Sequence, residues 1–146
     1  RGSEEQQPGE EYFDPDLFDA DTNGVNTFGL FRRTLEQAAL EDTVVPIVCR
    51  SAVAARQWAT PLGLVFIDGG HAYETAYTDY NAWARHILPG GFLLVHDIFK
   101  NPAEGGQAPY RVYELARASG VFRELPMTGT LGVLQRYRCG EMPAAR

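Results

Sequence analysis

The sequence predicts an α/β fold, a mostly parallel sheet with one antiparallel member near its C-terminal edge. Two observations carry that expectation. Leu64 to Ile67 and Phe92 to Val95 are short, unbroken apolar runs of the kind found in strands covered on both faces, and they bracket a helical pattern. Strand, crossover helix and strand make a right-handed βαβ unit with parallel strands. Near the C-terminus, a strand opening at Val121-Phe122 and another at Leu131 to Tyr137 are joined by Met127-Thr128-Gly129-Thr130. So short a connection makes them an antiparallel pair closing the sheet.

Taken in order, residues 1–27 read as an acidic arm or substrate-covering loop. Eight carboxylates stand there against Arg1, interspersed with Pro8, Gly9, Pro15, Gly24 and the aromatics Tyr12, Phe13 and Phe18, with no helical or strand period. Residues 28–138 form the α/β domain. From Thr27 to Leu40, Phe28, Phe31 and Leu35 recur at helical spacing. Val44 to Val48 is a β-branched run interrupted by Pro46, hence a strand near a sheet edge, with Cys49 a buried core thiol at its end. Ser51 is placed to cap a helix running through Trp58.

The central helix carries Tyr73, Tyr77, Tyr80, Ala84 and Ile87 as its core stripe, with Asp79, Asn81 and Arg85 facing out and Pro89-Gly90-Gly91 turning the chain back. Pro109 suits the start of a further helix that ends at Gly120. Residues 139–146 form a frayed tail.

Composition narrows the function. A net charge of −6 over 146 residues leaves no basic stripe for nucleic acid, so a small-molecule partner is expected. No run approaches a membrane span and no basic-then-apolar leader is seen, which makes the expected address cytoplasmic. Two cysteines are too few for a disulfide framework.

The carboxyl ends of the two parallel strands open on one edge of the sheet, where open α/β folds hold ligands. Asp68 and His71 follow the first strand; His96 and Asp97 follow the second. All four can exchange protons or bind a metal. Each also has a structural role available: Asp68 organising its turn, His71 capping the next helix, His96 and Asp97 fixing a loop as a pair.

The element order, with IDGGH closing one strand, LPGG ahead of the next and a terminal strand pair, resembles the class I S-adenosylmethionine-dependent methyltransferases over residues 27–137. Among these it looks most like small bacterial members related to catechol O-methyltransferase. The resemblance implies a Rossmann-like methyltransferase sheet, S-adenosylmethionine as cofactor and methyl transfer to a hydroxyl of a small molecule. It also implies a divalent ion, Mg²⁺ or Mn²⁺, at Asp68, His96 and Asp97. Asp68 and His71 then take catalytic roles, His71 as proton acceptor, and Ser51 joins Asp68 at the cofactor.

The sequence departs from the family at its start. The glycine-rich loop ending the family's first strand and the ribose-binding acid ending its second are not present, so the sheet is expected without those two strands. Val44 to Cys49 and Leu64 to Ile67 would then expose unpaired edges, unless the sheet re-pairs or another chain fills the gap, as in a homo-oligomer. The alternative function is a catalytically incomplete, methyltransferase-like binding or assembly module.

Overall fold

In the computed structural model, which describes residues 6–10 and 13–138, the chain divides into two compact units between Cys49 and Arg50. The tail from Cys139 and the pairing state of that thiol lie outside the described residues. In the first unit, Pro15–Leu17 forms a 3-10 turn opened by the Asp14 carboxylate, which accepts the Asp16 N–H at 2.9 Å. Strands β1 (Phe18–Asp19) and β2 (Gly24–Val25) pair as a small hairpin, and Val25 is buried. The expected arm therefore contains regular structure despite its lack of periodicity. Helix α1 (Phe28–Gln37) follows, burying Leu35 while Phe28 and Phe31 remain substantially exposed.

Val44 to Val48 corrects the expectation of a strand. The segment has no ladder, and Val45 is 80% exposed. Among the described residues it pairs with neither β1 nor β2, and Pro46 supplies no N–H for a ladder. Cys49, expected in the core, is exposed for the same reason.

The second unit runs α2 (Ser51–Gln57), β3 (Leu62–Ile67), α3 (Tyr73–Trp83), a 3-10 turn over Ala84–His86, β4 (Ile87–Val95), α4 (Ala108–Ala118), β5 (Phe122–Thr128) and β6 (Leu131–Arg136). Its sheet has the order β3-β4-β6-β5. β3 and β4 are parallel, whereas β6 is antiparallel to both its neighbours, so the single reversed strand lies one place in from the C-terminal edge. Period-2 alternation sends Val65, Ile67, Leu93, Val95 and Leu134 to one face, where they pack with Tyr113 and Ala116 of α4 and with Tyr80 and Trp83 of α3. Leu93, Val95 and Leu134 are fully buried, each stabilising by about 1.5–3 kcal/mol. On β3, the alternate residues Leu64 and Phe66 stay half exposed.

Two details of the βαβ unit differ from expectation. The helix ends earlier and β4 starts earlier, so Pro89-Gly90-Gly91 lies inside the strand rather than ahead of it. Ile87 pairs with Leu62 and is 1% exposed, and a register shift absorbs the extra residues before Leu64 meets Phe92. On α3, the buried side is Ala76 with Tyr80, Trp83 and the following Ala84, while Tyr73 and Tyr77 are exposed and stacked on each other at 5.9 Å. Of the expected stripe, Tyr80, Ala84 and Ile87 do pack in the core, whereas Ala76 is buried in place of Tyr73 and Tyr77.

Candidate functional site

β3 and β4 bring Asp68, His96 and Asp97 together by register. Ile67 lies opposite Val95, and the His96 N–H donates to the Ile67 carbonyl at 3.0 Å, so the residues following each strand emerge side by side. Asp97 then turns into the left-handed region at φ +56°, which a short polar side chain tolerates better than most. Beyond it, the Ile98 N–H donates to the Thr130 carbonyl at 2.9 Å. The backbone is pinned on both sides of the turn.

The side chains form one chain of contacts. His96 Nδ1 stands 3.1 Å from Asp68 Oδ1 and 3.2 Å from Asp97 Oδ1. The other oxygen of Asp97, Oδ2, is 2.9 Å from His71 Nε2. None of the four is deeply buried, with side chains 25–47% exposed. His71 does not cap α3, whose N-cap position is Ala72. The turn from Asp68 to Gly70 places His71 over the β4 end instead.

One nitrogen and two carboxylate oxygens converge in this group, the only cluster of three potential metal-ligating His, Cys, Asp or Glu side chains among the described residues. Neighbouring ligands of an octahedral ion with bonds of about 2.1 Å stand roughly 3 Å apart, which matches both His96-to-carboxylate separations. Two carboxylates suit Mg²⁺, and the imidazole moves the preference toward Mn²⁺ or a related transition ion. The donor set fits a divalent cation.

Ser51 lies beside this group but not as a helix cap. Arg50 holds the N-cap position of α2, and the Ser51 hydroxyl accepts the Trp83 indole N–H at 2.7 Å. That bond links the start of α2 to the end of α3. Next to it opens a cavity of about 280 Å³, lined by Ser51, Phe66, Asp68, Gly69, Asp79 and Trp83 among others. Asp79, expected to face out, is half-buried, with its Oδ2 against Gly69, where a Cβ would come within 3.1 Å. Asp79 and Trp83 are the site residues that sequence reasoning missed. Their signal was the four-residue spacing that puts them on one helix face.

The family model described as a methyltransferase domain matches residues 6–98. The chain belongs to that methyltransferase family. This bears out the resemblance to class I S-adenosylmethionine-dependent methyltransferases at the level of family and fold. The crystal structure of a protein from Corynebacterium glutamicum is similar to 80% of this chain, with a TM-score of 0.54 and 18% identity, which speaks for the shared fold alone. The chain spans 64% of that protein's length. Among the described residues, no helix is long and apolar enough to cross a membrane.

Proposed function

We propose that this protein, as a relative of catechol O-methyltransferase, transfers a methyl group from S-adenosylmethionine to a hydroxyl of a small molecule, at a cytoplasmic address. The observation that carries the reading is the convergence of Asp68, His96, Asp97 and His71 at the carboxyl ends of two parallel strands, in a chain of the methyltransferase family. Asp68, His96 and Asp97 would hold Mg²⁺ or Mn²⁺. When bound, the cation lowers the pKa of an acceptor hydroxyl and the cofactor supplies an electrophilic methyl group.

The chain's own residues do the rest. A carboxylate only accepts, so the His71–Asp97 contact puts the imidazole hydrogen on Nε2 and the lone pair on Nδ1. Nδ1 is then the atom that takes the hydroxyl proton, with Asp97 fixing the tautomer. Ser51 and Asp68 provide polar groups for the cofactor beside the rings of Phe66 and Trp83, and a cavity of this size suits its nucleoside portion.

The test is transfer of labelled methyl from S-adenosylmethionine to a panel of small hydroxylated compounds, assayed after chelation and after adding back Mn²⁺ or Mg²⁺. Loss of turnover in chelator and recovery with the ion is expected. Full turnover in excess chelator would reduce the three ligands to a structural cluster. Absence of transfer under every condition favours a second reading, a binding or assembly module. The place of β3 at the sheet edge among the described residues supports that reading, because the strand carries half-exposed Leu64 and Phe66 and neither charge nor proline.

A further inference from the structure

We infer that His71 is a positioning residue of the cation site, holding the Asp97 carboxylate in the orientation that presents Oδ1 to the ion. The inference rests on the proposed metal binding by Asp68, His96 and Asp97, and adds a role for His71 beyond taking a proton. Asp97's backbone is fixed by the hydrogen bonds of His96 and Ile98, but its side chain keeps two torsions that those bonds do not set.

Two contacts do. His96 Nδ1 meets Oδ1 and His71 Nε2 meets Oδ2. Were His96 Nδ1 and Asp97 Oδ1 to hold a cation, they would no longer share a hydrogen, and the His71 bond would be left to orient the carboxylate. It also spans 26 positions of sequence, tying the loop that carries Asp68 to the one that carries Asp97. A partner of this kind typically contributes 10–100-fold in metal affinity.

Because the bond uses Nε2, substitutions at this position separate by geometry. A glutamine amide nitrogen reaches about where Nε2 stands, whereas an asparagine amide reaches only to the Nδ1 position. Mn²⁺ binding, read from the electron paramagnetic resonance signal of the free ion at one fixed pH, is the measurement. It is applied to the wild type, His71→Gln, His71→Asn and His71→Ala, with ion-free melting temperatures confirming that each is folded. Wild type and His71→Gln should bind with similar affinity, and His71→Asn and His71→Ala about 10–100-fold more weakly. Equal affinity in all four would overturn the positioning role while leaving the cation site standing. No Mn²⁺ binding by the wild type would remove the site and this role with it.

Discussion

Asp97 is shared between two histidines, with Oδ2 on His71 at 2.9 Å and Oδ1 on His96 at 3.2 Å. One carboxylate thus serves both the proposed ion and the proposed base. Asp97→Asn removes the charge common to both, and is expected to weaken Mn²⁺ affinity and methyl transfer together. His71→Gln keeps an N–H for Asp97 but no proton-accepting nitrogen, so it should spare metal binding and lower the rate by about 10²–10⁴. Parallel metal titration and rate measurement check the split.

Tyr113 is 1% exposed and its hydroxyl donates to Glu124 Oε1 at 3.0 Å. Burial first, then the hydrogen bond to Glu124, raises the phenol well above its ordinary range. The folded state therefore keeps this proton at pH values where an unfolded tyrosine, with a pKa of about 10, has lost it. The stabilisation is complete below about pH 10 and drains away as the pH rises further. Urea unfolding at pH 7 should show Tyr113→Phe destabilised by about 1 kcal/mol, and the deficit should shrink above pH 10.

Gly91 sits where β4 crosses its register shift, and a Cβ there would lie 2.8 Å from the Gly63 carbonyl oxygen and 2.9 Å from that of Leu88. Both obstacles are backbone and cannot swing away. Gly91→Ala is expected to cost about 1–3 kcal/mol in chemical denaturation. Gly106, whose added Cβ meets nothing within 4 Å, is the control and should change stability by less than about 0.5 kcal/mol when replaced by alanine.

Trp83 lines the cavity and is bonded to Ser51, whereas Trp58 contacts it edge-on at 5.4 Å. Binding of S-adenosylhomocysteine should therefore change indole emission chiefly through Trp83. Fluorescence titration should show the change kept in Trp58→Phe and largely lost in Trp83→Phe.

Much of the second unit was legible in sequence because its signals are local. Apolar runs ending in Asp68-Gly69-Gly70 and His96-Asp97 mark strand ends, and one parallel crossover then brings four chemistry-bearing residues to one edge. What sequence could not supply were decisions made by packing. Ala76, rather than Tyr73 or Tyr77, meets the core, and Asp79 turns inward against Gly69. Ser51 has the residue type of a cap but serves Trp83, a partner 32 positions away. Val44 to Val48 has strand composition without a ladder to join. A strand needs a neighbour, and composition does not show whether one is there.

The proposed use of S-adenosylmethionine is checked by calorimetric titration of the protein with that cofactor. Saturable one-to-one binding, weakened by changing Ser51 to Ala or Asp68 to Asn, is the predicted result. No binding heat at millimolar cofactor, from protein shown to be folded, would rule out S-adenosylmethionine as its cofactor.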